Sequence, residues 1–113
     1  MTSTSTGLAA EAAAADYLRK LGWKILEQNW RTRVCEIDIV AQHKKVICFV
    51  EVKYRASDAQ GSGLDYITQT KLKQMRFAAE LWVQKHDWDG DYQLGAIEVS
   101  GSELAITQFV SEL

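Results

Sequence analysis

Histidine and cysteine are scarce in this chain, two of each in 113 residues, and no C-x-x-C spacing occurs. A structural zinc site, which gathers four such ligands, is therefore not expected. Cys35 and Cys48 fall inside strand-like runs, where a thiol serves as a small apolar core residue. Long hydrophobic runs are also missing. The longest, Val46 to Val50, is far too short to span a bilayer. No apolar stretch follows a basic start, so no secretion signal is expected. The default that follows is a cytoplasmic, reducing location with no membrane partner. Charge of one sign is not in large excess either. The formal net charge of −2, taken alone, speaks against a nucleic-acid binder.

Apolar residues make up 47% of the chain, and four Trp and four Tyr add bulk, so a real core can form. One domain over residues 7–113, behind a flexible polar tail of residues 1–6, suits this length. The charges are unevenly spread. Residues 1–76 hold 12 Lys/Arg against 8 Asp/Glu, whereas residues 77–113 hold 1 against 7. A basic rim for a polyanion beside an acidic far end is one meaning; an ordinary solvated surface is the other.

Leu8 to Leu21 is rich in alanine and free of breakers, which predicts a helix with Thr6 as a candidate cap and Gly22 as its end. Leu8, Glu11, Ala15, Leu18 and Leu21 recur at helical spacing, so Glu11 lies on or beside an apolar stripe. Trp23 to Glu27 reads as a strand, Gln28-Asn29 as a turn, and Trp30 to Val34 as the lead into a second strand. Residues 54–65 read as a loop long enough to be a functional flap. Tyr66 to about His86 has a helical period in Ile67, Leu72, Met75, Ala78, Ala79, Trp82 and Val83. Tyr92 to Val99 and Leu104 to Val110 are two further strands. The order α-β-β-β-α-β-β predicts a mixed α/β fold around a central sheet of about five strands with two main helices.

The chemistry concentrates in two neighbouring apolar runs, Cys35 to Ala41 and Val46 to Lys53, joined by the polar turn 42–45. Their Val, Ile and Phe content favours strands. Alternation puts Glu36 with Asp38 on one face, and Glu51 with Lys53. A turn centred on His43-Lys44 would set Glu36 opposite Glu51 and Asp38 diagonal to it, about 7–8 Å apart at the backbone. Two carboxylates and an ammonium at the end of apolar strands are costly unless they pair, hold a metal or do chemistry. A buried salt-bridge cluster, with Lys53 pairing Glu51 or Glu36, is the structural alternative. A hard divalent ion such as Mg²⁺ or Mn²⁺ would find oxygen ligands in Asp38, Glu51 and the carbonyl of Val52. Lys53 would aim an ammonium at the attacking water or a phosphate, and Glu11 would reach the metal through water or orient Lys53. Arg55, Lys71 and Lys73 are candidate phosphate contacts.

Asp38-x(12)-Glu51-x-Lys53 with an upstream helix glutamate resembles the motif of the PD-(D/E)xK nucleases. More closely, the chain resembles the YraN family of small bacterial proteins. The likeness runs through G-x-x-x-E (Gly7 to Glu11), A-x-x-Y-L (Ala14 to Leu18), L-G-W-x-I-L-x-x-N (Leu21 to Asn29), E-I-D-I-V (Glu36 to Val40), F-V-E-V-K-Y-R (Phe49 to Arg55) and I-T-x-x-K (Ile67 to Lys71). It implies a restriction-endonuclease-like fold, with Glu11, Asp38, Glu51 and Lys53 as the catalytic set. It implies nucleic acid, DNA first, as the partner, in repair or recombination. A symmetric homodimer would suit cutting two strands. Two departures stand out: Cys35 replaces a usual Gly before E-I-D, and Gln93, Leu94 and Gly95 replace R-F-D. The competing expectations are a nucleic-acid-binding module that does not cut, and an interaction protein whose acidic C-terminal third meets a basic partner.

Overall fold

A computed structural model of the chain describes residues 5–56 and 63–113. Helix α1 spans Ser5–Lys20, and strands β1, β2 and β3 span Lys24–Arg31, Glu36–His43 and Val46–Arg55. Helix α2 spans Gln69–Lys85, and β4 and β5 span Asp91–Ser100 and Ala105–Val110. The order is the one expected. Ser5 and Thr6 are helical, so Thr6 is a first-turn residue and neither a cap nor part of a tail. Residues 1–4 of the expected tail and residues 57–62, half of the expected flap, lie outside the described residues, while Tyr54 and Arg55 belong to β3 and not to a loop.

The end of α1 follows from Gly22, which takes a φ of +99°. Its N–H bonds the carbonyl of Arg19 while that of Trp23 reaches back to Leu18. This pair of bonds is the glycine-dependent Schellman stop. The buried face of α1 is Ala10, Ala14, Ala15 and Leu18, whereas Leu8 and Leu21 are exposed. The apolar stripe is thus rotated from the expected one. Alanines let the helix lie close to the sheet, and that closeness buries Glu11 at its edge.

The five strands form one sheet in the order β1-β2-β3-β4-β5, with β3 and β4 parallel and every other pair antiparallel. A parallel pair needs a long crossover, and α2 lies in it. Thr68 caps α2 by accepting the N–H of Lys71. The two helices define two cores. On the α1 side, Ile39, Ala41, Cys48, Val50, Ile97 and Val99 pack on the alanine face. On the α2 side, Val40, Ile47, Phe49 and Leu94 pack on Ala78, Ala79 and Trp82. Among the described residues, no helix is long and apolar enough to cross a membrane.

Two local expectations are corrected. Gln28-Asn29 is not a turn: β1 runs through it, with an irregularity between Ile25 and Glu27 and Asn29 held at a φ of +54°. Asn tolerates that conformation at modest cost, so the strand continues. The turn between β2 and β3 is Lys44-Lys45, closed by His43 opposite Val46, with Lys44 at a φ of +57°.

Candidate active site

The position of that turn sets the site. The ladder between β2 and β3 ends with Ile39 opposite Val50. One further step puts Asp38, not Glu36, across from Glu51. The expected face survives, because moving the turn by one residue shifts each partner by two. Glu36 instead lies at the strand's exposed start, 3.6 Å from Arg31.

Past that ladder end, the N–H of Val52 donates to Asp38 Oδ2 at 2.8 Å. Alternation carries Glu51, Lys53 and Arg55 onto the α2 side, following Phe49. Asp38 and Glu51 share a small crevice closed by Met75 and Ala78 of α2. Burial there, then the charge of Glu51, raises the Asp38 carboxyl to about 7, with Glu11 and Glu36 adding to the rise and the Val52 bond opposing it. Glu11 comes from the other layer, yet its charge is felt at Asp38.

Three buried side-chain atoms of the described residues have no hydrogen-bond partner: Glu11 Oε1, Asn29 Oδ1 and Tyr66 OH. Two of them, on Glu11 and Tyr66, belong to residues whose charges act with that of Asp38, and the third to a residue on the neighbouring strand. Asn29 lies across from Asp38, between the pairs Gln28–Ile39 and Trp30–Ile37. Buried polar atoms are rarely left unsatisfied.

The basic residues divide. Lys71 pairs with Glu51 at 3.0 Å. Lys53 makes no ion pair among the described residues; its Nζ lies 5.6 Å from the centroid of the Tyr66 ring. Arg55 is built into the interior, with its Nε 2.6 Å from Glu98 Oε2 and a further bond to the Gly63 carbonyl. The guanidinium is thereby committed to the protein and not presented to solvent. Lys71 and Lys73 line an open groove of about 460 Å³ that runs from Glu51 past the exposed side chains of Val34 and Phe77.

The acceptors are oxygens, the kind of ligand a hard cation takes. Among the described residues, no three or more His, Cys, Asp or Glu side chains are gathered for a metal. An ion here would rest on Asp38, Glu51, backbone oxygen and water, the sparse set that Mg²⁺ accepts. The Val52 carbonyl suits that role. A strand residue points its N–H and C=O to the same side, and the Val52 N–H faces Asp38.

Glu98 and Tyr66 were missed in the sequence. Glu98 had a readable signal, because a lone carboxylate inside Ala96-Ile97-Glu98-Val99 breaks an apolar strand just as Asp38 does. Tyr66 had none; it stood as the first residue of an ordinary helix.

A family model described as "Uncharacterised protein family UPF0102" matches residues 10–99. The chain belongs to this family, UPF0102. Among its relatives, a UPF0102 protein of Cytophaga hutchinsonii is 34% identical over 106 residues, covering 94% of each chain. One from Vibrio campbellii is 34% identical over 95 residues, covering 81% of this chain and 78% of its own. One from Mycobacterium tuberculosis is 38% identical over 92 residues, covering 78% and 72%. The matched span of the family model contains Glu11, Asp38, Glu51, Lys53 and Tyr66.

Proposed function

We propose that this UPF0102 protein is a Mg²⁺- or Mn²⁺-dependent phosphodiesterase of endonuclease type, acting on nucleic acid with DNA as the first substrate to test. The observation that carries this is the neighbouring pair Asp38 and Glu51, of which only Glu51 has an ion-pair partner among the described residues, with the ammonium of Lys53 on the same side of the sheet as Glu51. An arrangement kept only for stability has no need of such a pair, since apolar residues would serve as well. The element order, with acids on β2 and β3 under α2, is also what a restriction-endonuclease-like fold would have.

Asp38, Glu51 and the Val52 carbonyl would hold the ion. Bound there, it would supply a Lewis acid and a sink for charge on the phosphoryl oxygens. Lys53 offers N–H donors to the attacking water or a phosphoryl oxygen. Val52 N–H keeps one Asp38 oxygen oriented and leaves the other free. Glu11, with an unsatisfied oxygen, can hold a water at the edge of the site. Lys71 and Lys73 lie along the groove where a phosphate backbone would pass, and binding through them would weaken as salt rises.

One observation favours a second reading. The Lys71–Glu51 ion pair already satisfies one of the two acids, as a nucleic-acid-binding module that does not cut would allow. The deciding experiment is a cleavage screen over linear, flapped and four-way DNA and structured RNA, with Mg²⁺ or Mn²⁺, using wild type beside Glu51→Ala, Asp38→Ala and Lys53→Ala. Cleavage by wild type alone supports the enzyme. Salt-sensitive binding without cleavage, unchanged in Asp38→Ala, supports the binder.

A further inference from the structure

The three unsatisfied buried atoms are of two chemical kinds. Glu11 Oε1 and Asn29 Oδ1 are acceptors, which suit a cation or its waters. Tyr66 OH is the one able to donate, and a cation does not satisfy a donor. An anion does. The Tyr66 ring lies 5.6 Å from Lys53 Nζ and 5.9 Å from the Arg55 guanidinium, centroid to charge. A tyrosine face over a cation is attractive, so the ring also holds the Lys53 ammonium where it is.

We propose that Tyr66 is a further catalytic residue, whose hydroxyl, closed off from solvent in this structure, donates a hydrogen bond to a non-bridging oxygen of the scissile phosphodiester once substrate enters beside Lys53, while its ring positions Lys53. This rests on the phosphodiesterase reading above and adds to it a third kind of contact, neutral and directional, beside the ion and the ammonium.

The surroundings of this hydroxyl favour its protonated form. Burial first, then the carboxylates Glu51 and Asp38, push the phenol well above its ordinary range, with Arg55 opposing and Glu98 adding to the rise. A phenol, with an ordinary pKa of about 10, is in any case protonated near neutral pH. Without substrate, that burial is a standing cost, because a buried hydroxyl with no partner has lost its water. A purely structural tyrosine at this place would be better as phenylalanine.

Tyr66→Phe keeps the ring and the Lys53 contact and removes only the hydroxyl. It is compared with wild type for melting temperature and for kcat and KM on a fluorescent DNA that wild type cleaves. The expected result is a melting temperature at or above that of wild type, kcat lower by tenfold or more, and KM little changed. Sulfur at the non-bridging oxygens, a poorer acceptor, should then slow wild type more than it slows Tyr66→Phe. Tyr66→Leu, which also frees Lys53, should lose more activity than Tyr66→Phe. Unchanged kcat and an unchanged sulfur effect in Tyr66→Phe, with wild type active, overturn the role of Tyr66 and leave the phosphodiesterase reading standing. A wild-type protein that cleaves nothing in the screen overturns both.

Discussion

Val52 donates its backbone N–H to Asp38 Oδ2 at 2.8 Å, at the point where β2 and β3 cease to pair. A side chain thus takes the place of the next rung of the ladder. The bond fixes one oxygen of the carboxylate, and the charge of Glu51 is felt there. One hydrogen bond does not offset what burial and a second carboxylate do to it, since the Asp38 carboxyl stands at about 7 against an ordinary 3.8.

A pH dependence of stability follows. The folded protein keeps a proton on Asp38 up to about pH 7, whereas the unfolded chain releases it near 3.8. Between those values the folded state binds more protons, so this group's contribution to stability falls as pH rises through the window. The loss has an upper bound of about 4 kcal/mol, from 1.36 kcal/mol per unit, and partial solvent access reduces it to about 1–2 kcal/mol. Asp38→Asn should therefore melt close to wild type at pH 4.5 and several degrees above it at pH 8, both in chelator. A wild type that gains on the variant as pH rises would show the opposite sign and refute the assignment.

Divalent metal should reverse that penalty. An ion that binds only the folded state stabilises it by about 2.7 kcal/mol at a hundred times its dissociation constant. Manganese at millimolar levels should raise the melting temperature of wild type, more at pH 8 than at pH 6, because a proton competes for Asp38 below about 7. Glu51→Ala and Asp38→Ala should lose most of the shift. An equal shift in all three proteins would locate the ion elsewhere.

Arg55 and Glu98 form the other charged contact of this face, and their side chains are 10% and 5% exposed. Glu98 also accepts from the Thr107 hydroxyl at 2.7 Å. Removing one partner of such a pair strands the other, at a cost of about 3–5 kcal/mol. Arg55→Met should lower stability by that much in urea unfolding. The double variant Arg55→Met with Glu98→Leu should recover a large part of it. A neutral single variant would refute a structural role for the pair.

Much of this site was legible before any coordinates. Period-two alternation in Val46 to Lys53 was enough to put Glu51 and Lys53 together, and the polar turn required an antiparallel partner carrying Asp38. The register was not legible, because Gln42, His43, Lys44 and Lys45 are all polar and no buried face specifies where the chain reverses. Asn29 misled for a related reason: a good turn former also fits a strand irregularity. The Arg55–Glu98 pair depends on the parallel register of β3 with β4, which sets Lys53 beside Glu98 across a whole helix. Local patterning does not encode that pairing. The ion pair of Lys71 with Glu51 was likewise not legible, since it joins a helix to a strand twenty residues before it.

The departures at Gln93 and Gly95 have a structural meaning away from the acids. Gln93 Nε2 donates to the Ser111 carbonyl at 2.6 Å, which ties the chain after β5 to β4. Gly95 lies on the α1 side, and a Cβ there would stand 2.7 Å from Cys48 Sγ and 2.8 Å from the Val110 carbonyl oxygen. Neither atom has room to retreat, since Cys48 is fully buried and Val110 is paired in the ladder opposite Ala96. Gly95→Ala should therefore cost about 1–3 kcal/mol, the usual range for overpacking. Cys48→Ala removes the sulfur but not the carbonyl. The double variant should thus recover only part of the loss relative to Cys48→Ala alone, as urea unfolding would show. Full recovery would mean that the sulfur is the sole obstacle and that the β4–β5 ladder can yield at Val110. Cleavage, assayed below the unfolding transition, should be unaffected in all of these variants, because the change lies across the sheet from Asp38 and Glu51.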